Sequence, residues 1–94
     1  MRILVAEDEK KVAAFIADGL VQEGYAVDVD GEDALQKAES VEYDAAVLDW
    51  MLPTRSGLDV LRAIRSKKSS LPVLIKKPPF RAYSTGSIGQ RRNR

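Results

Sequence analysis

A chain of 94 residues with 45% hydrophobic content is sized for one modest domain, and such a domain buries only about two thirds of the surface its unfolded chain exposes. Cysteine and histidine are absent, which excludes a disulfide framework, a thiolate or imidazole nucleophile, a histidine general base and the usual zinc sites. The net charge of +1 hides a division: residues 1–59 carry all 14 acids and 5 of the 15 bases, and the last 35 residues carry 10 bases and no acid.

Residues 3–6 (Ile-Leu-Val-Ala) are a short apolar run that stops at Glu7 and Asp8, the pattern of a strand buried on both faces. Residues 9–23 space Val12, Phe15 or Ile16, and Leu20 about one turn apart, predicting an amphipathic helix with acids in its first turn and Gly24 as its stop. Residues 25–29 alternate and include Val27 and Val29, a strand whose Asp28 is expected to face water at a sheet edge before Gly31 breaks it. Residues 32–40 carry the small apolar stripe Ala34, Leu35 and Ala38, a second helix suited to close packing on a sheet.

The central strand is predicted at residues 43–49, where the run 45–48 ends abruptly in Asp49. A loop with Pro53, Ser56 and Gly57 follows, then a helix over 58–65 with Val60, Leu61 and Ile64 inward, then a fourth strand over 71–75. Beyond Ile75 the pattern fails: Lys76, Lys77, Pro78, Pro79 and Phe80 lead into a polar stretch with Arg91, Arg92 and Arg94. Residues 1–75 are therefore expected to be a partial α/β domain, and 76–94 a basic, poorly ordered tail.

Alternating strands and helices imply a parallel, doubly wound sheet covered on both faces, here incomplete, with about four strands and three helices. Ligands bind such sheets beyond the carboxyl ends of the strands, so Glu7, Asp8 and Asp49 should converge on one rim. Acids after strands often only cap the next helix. Yet buried strand ends seldom gather uncompensated carboxylates, which favours a functional pocket, and hard oxygen ligands favour magnesium, calcium or manganese.

At these residues the chain resembles the receiver domains of bacterial response regulators, with their flavodoxin-like fold, particularly those fused to winged-helix transcription factors. The likeness rests on Ile3-Leu4-Val5-Ala6-Glu7-Asp8-Glu9, Gly24-Tyr25, Leu48-Asp49-Trp50-Met51-Leu52-Pro53, Gly57-Leu58 and Pro72-Val73-Leu74-Ile75, in family order over residues 1–75. The resemblance implies that Asp49 is the phosphoacceptor, taking a phosphoryl group from a sensor histidine kinase or a small acyl phosphate. It implies a Mg2+ site made by Asp8, Asp49 and the backbone carbonyl of Met51, with Glu7 acting largely through water. A carboxylate attacks an anionic phosphoryl group poorly unless a cation neutralises the charge between them. The module implied is a signalling protein and not an enzyme.

Three departures from the family stand out. The Asp30-Gly31 turn is about two residues shorter than usual, as a tolerated loop deletion would leave it. The family carries Ser or Thr immediately after the fourth strand, where Lys76 stands here; Thr54, Ser69 and Ser70 do not occupy that position. The family's last helices and strand have no counterpart in 76–94, so a truncated or frameshifted product with an impaired output switch is expected. Lys77-Pro78 with Phe80 is similar to the family's Lys-Pro-Phe after the fifth strand, which would give Lys77 a phosphoryl contact; a basic tail requires no such role.

An unpaired fourth strand and uncovered apolar flanks would favour a homo-oligomer, by edge pairing or exchange of elements. The alternative function is a phosphorylation-incompetent receiver remnant that only oligomerises or binds a kinase. Nucleic-acid binding through the basic, aromatic-bearing tail is not expected, since no recognition helix is visible and the acidic half repels phosphates. A phosphatase of the haloacid dehalogenase type would need a second aspartate where Met51 stands, and no Gly-rich turn for a dinucleotide follows the first strand. No apolar run approaches the roughly 20 residues of a membrane span, so a cytoplasmic protein is expected.

Overall fold

In the computed structural model, residues 1–53, 55–67 and 70–77 are described in full and 81–85 as backbone. The elements run β1 (Arg2–Ala6), α1 (Lys10–Gln22), β2 (Ala26–Val29), α2 (Ala34–Ser40), β3 (Ala45–Asp49), α3 (Gly57–Lys67), β4 (Val73–Lys77) and β5 (Arg81–Thr85). One sheet has the order β2-β1-β3-β4-β5. The first four strands are parallel, as the sequence pattern predicts, and β5 is antiparallel to β4.

Parallel register places Leu4, Ala46 and Val73 in one row, and Ala6, Leu48 and Ile75 in another two residues on. Both rows point at α2 and α3, where Ala34, Ala38, Val60, Ile64, Tyr43 and Leu71 complete the buried cluster. Alanines on α2 let that helix approach the sheet closely, and Leu4 and Leu48 are fully enclosed. Burial of each large side chain here contributes roughly 1.5–3 kcal/mol. The intervening row, Val5, Val47 and Leu74, faces the opposite side, which α1 covers over β1 and β2.

Helix α1 is stopped as the sequence predicts: Gly24 takes the left-handed conformation at φ 95°, and its N–H donates to the Val21 carbonyl. Two details differ. Glu9 stands at the N-cap position without a side-chain capping hydrogen bond, and no acid lies in the first turn. Of the two candidates for the inward position, Ile16 is half-buried and Phe15 is 81% exposed.

The strand expected to end at Ile75 continues to Lys77, and a fifth strand pairs with it from Val73↔Thr85 to Lys77↔Arg81. Residues 81–85 were expected in the tail, but an open parallel edge leaves a row of unpaired backbone groups, and an antiparallel strand three residues onward satisfies them. The β4 edge that suggested edge-paired oligomers is therefore occupied. Residues 86–94, with Arg91, Arg92 and Arg94, lie outside the described residues, as do Thr54, Ser69, Pro78 and Phe80. Among the described residues, no helix is long and apolar enough to cross a membrane.

Asp28 lies on the edge strand as expected and keeps 25% side-chain exposure, but its carboxylate is paired rather than only solvated. The Arg2 guanidinium donates to it through Nε at 2.9 Å and Nη2 at 3.2 Å, and the Tyr43 hydroxyl donates at 2.7 Å. Arg2 and then Tyr43 hold the Asp28 carboxyl below the ordinary aspartate range, while burial and then Asp28 push the Tyr43 hydroxyl up to about 12. This network ties β1, β2 and the entry to β3 together at the amino-terminal end of the sheet.

Candidate functional site

The adjacent central strands β1 and β3 are followed by crossovers to opposite faces of the sheet, so a crevice opens beyond their carboxyl ends. Glu7 follows β1 directly and Asp49 closes β3. One carboxylate oxygen each from Glu7, Asp8 and Asp49 lies within 4.8 Å of the others. The three acids predicted to converge do so.

Their environments are unequal. Glu7 is 5% exposed, Asp49 half-buried and Asp8 exposed. Glu7 Oε2 accepts the Glu9 N–H at 3.1 Å, but Oε1 is buried without a hydrogen bond; its charge is met by the Lys76 ammonium, 3.0 Å away. The same ammonium lies 3.6 Å from Asp49 Oδ1.

Burial and then the Glu7 carboxylate push the Asp49 carboxyl above the ordinary aspartate range, against the pull of Lys76 and the Met51 backbone N–H. Burial acts to lower the Lys76 ammonium, but its contact with Glu7 and the charges of Asp49 and Glu7 outweigh this and hold it raised. Lys76 is the site residue the sequence did not assign. Its signal is register: β3 and β4 pair Asp49 with Lys76, so the two side chains leave the sheet on one side. Lys77, one residue on, places its ammonium 4.6 Å from the centre of the Trp50 ring, a cation–π contact.

Two glycines make the rim possible. A Cβ at Gly57 would sit 2.3 Å from the Asp49 carbonyl oxygen, and one at Gly31 would sit 2.6 Å from Asp8 Cα. Only glycine lets the β3–α3 and β2–α2 loops pass this close to the acids. The β3–α3 loop turns back on itself, with Met51 bridged to Ser56 and the Gly57 N–H donating to the Trp50 carbonyl at 2.8 Å. In the β2–α2 loop, Asp30 Oδ1 accepts the N–H groups of Glu32 and Asp33, a local turn that orders the segment.

The donor set suits a hard divalent cation: three carboxylates converge, and one presents a buried oxygen with no hydrogen bond to satisfy it. An open cleft of about 570 Å³ along Glu7, Asp8, Gly31 and Pro53 gives Glu7 and Asp8 access to solvent.

The sequence matches the family described as "Response regulator receiver domain" over residues 3–76. It is 45% identical over 76 residues to the transcriptional regulatory protein DltR of Streptococcus agalactiae, and likewise to the response regulator ArlR of Staphylococcus aureus. Each alignment covers 79% of this chain and 34% of the relative, so the chain spans about a third of those proteins' length. Among solved structures, response regulator TrrA of Thermotoga maritima in complex with Mg2+ and BeF superposes with a TM-score of 0.76 at 38% identity, covering 81% of this chain and 68% of that one. TrrA in complex with the histidine kinase ThkA gives a TM-score of 0.74 at 38% identity, covering 82% and 68%. The convergent acids at the β1–β3 crevice thus lie in a chain that belongs to the receiver-domain family of two-component response regulators.

Proposed function

We propose that this chain is a phosphoacceptor module whose Asp49 takes a phosphoryl group from a sensor histidine kinase, in the cytoplasm, with Mg2+ held by Asp8, Asp49 and the Met51 backbone carbonyl and by Glu7 through water. The observation that carries the reading is the convergence of Glu7, Asp8 and Asp49 oxygens within 4.8 Å at the β1–β3 crevice in a chain of this family. Asp49 is the nucleophile: its carboxylate oxygen bonds to phosphorus while the phosphorus–nitrogen bond of the donor breaks and its electron pair returns to the imidazole. Bound magnesium supplies neutralisation of the charge between carboxylate and phosphoryl oxygens. Trp50 and the turned-back loop hold the backbone beside Asp49 in place, and Glu7 fixes the Glu9 amide at the start of α1.

The switch that reports phosphorylation is impaired in this reading. A small neutral hydroxyl is free to turn toward a new phosphoryl group, whereas the Lys76 ammonium is a full charge already engaged with Glu7. That ion pair also supports a second reading, a receiver that no longer accepts phosphate and acts by binding its kinase or a second copy of itself. Magnesium titration followed through Trp50, the sole tryptophan, tests the metal site. A saturable change in the native protein that Asp8→Ala abolishes is expected; a flat response in the native protein contradicts it. Transfer from a phosphorylated kinase to Asp49 separates the two readings.

A further inference from the structure

The Lys76 ammonium stands inside the acid cluster, 3.0 Å from the buried Glu7 Oε1 and 3.6 Å from Asp49 Oδ1. It arrives there from β4, beside Asp49 in the strand register, and is the cationic group placed between two of the three carboxylates that would hold a metal. We propose that Lys76 is a tethered counter-ion that competes with divalent cations for the Glu7–Asp49 pocket, so that the cation enters only as the ammonium swings out. This inference rests on the metal site proposed above and adds a built-in antagonist to it.

Several observations support the competition. Carboxylates this close repel one another, and the cluster needs positive charge from somewhere. Among the described residues the cation beside the buried Glu7 Oε1 is Lys76, so removing the lysine leaves a buried anionic oxygen waiting for a cation. The side chain is 20% exposed, and a flexible four-carbon stem allows its head to move toward solvent without disturbing β4. The backbone below it is fixed independently: the Lys76 carbonyl accepts the Trp50 N–H at 2.7 Å, and β5 pairs at Ala82.

The test is calorimetric binding of Mg2+ and of Mn2+ to the native protein, to Lys76→Met and Lys76→Gln as two neutral variants, to Lys76→Arg, and to Lys67→Met. Lys67 is at the far end of α3, paired with Glu39, and its variant removes one positive charge away from the rim. Thermal unfolding without metal identifies which Lys76 variant is folded. Affinity about tenfold tighter in the folded neutral variant, with Lys76→Arg and Lys67→Met near native, is the expected result. Equal or weaker affinity in the neutral variants overturns the inference and leaves the metal site standing. No binding to any variant at millimolar cation overturns the metal site as well.

Discussion

The two faces of this sheet are finished to different degrees. Toward α2 and α3 the rows Leu4, Ala46, Val73 and Ala6, Leu48, Ile75 are buried, down to Leu4 and Leu48 with no exposure at all. Toward the other side, among the described residues, α1 covers β1 and β2; Val47 is half-buried, Leu74 at the same register is 38% exposed, and Phe15 on α1 itself is 81% exposed. Glu7, Asp49 and Lys76 continue the rows of this second, thinner face, because alternation along β1, β3 and β4 sends them to the same side as Val5, Val47 and Leu74. One face carries stability, and the site occupies the rim of the other, where acids can be half-buried and still reach solvent.

The contrast is broken most forcefully on the closed face. Leu48→Ala leaves a cavity between β3 and α3 and is expected to cost about 2–5 kcal/mol, read as a lower denaturation midpoint. Gly57→Ala comes next: its new Cβ would meet the Asp49 carbonyl oxygen at 2.3 Å, and the forced backbone shift is expected to cost about 1–3 kcal/mol while weakening magnesium binding through the displaced Asp49.

At the rim, the sign of the effect reverses. The Asp49 carboxyl is raised by burial and by Glu7, so the folded state binds its proton more tightly than the unfolded chain does. Stability from this group is fully present below its unfolded pKa and is lost as pH rises through the raised folded value. Asp49→Asn should therefore raise the melting temperature at neutral pH without metal, and the benefit should vanish in acid. The smallest effect belongs to the open face: Phe15→Ser removes an exposed side chain and should change monomer stability by no more than about 0.5 kcal/mol. A loss of several kcal/mol, dependent on protein concentration, would show that a second copy covers α1.

Much of this division was legible in the sequence. The runs ending at Glu7 and at Asp49 are local signals, and parallel pairing converts them into one acidic rim whatever the details of the loops. The inward positions Val60 and Ile64 follow from helical spacing in the same way. Lys76 was not legible as a site residue, because its place depends on a register between β3 and β4 set by side chains distant in sequence. The choice between Phe15 and Ile16 turned on how far α1 is covered, a tertiary property, and β5 was hidden because Arg81–Thr85 is short, polar and lacks the apolar alternation of a core strand. The steric role of Gly31 and Gly57 is hidden in the same way, because the approach of their loops to Asp8 and Asp49 is a tertiary contact.

Asp49 in this reading accepts a phosphoryl group with the help of magnesium, and intact-mass spectrometry after incubation with acetyl phosphate is the decisive test. One added phosphoryl group on the native protein, dependent on Mg2+ and lost in Asp49→Ala, is the predicted result. An unmodified native protein under conditions that label an intact receiver, or an adduct that survives Asp49→Ala, would contradict it.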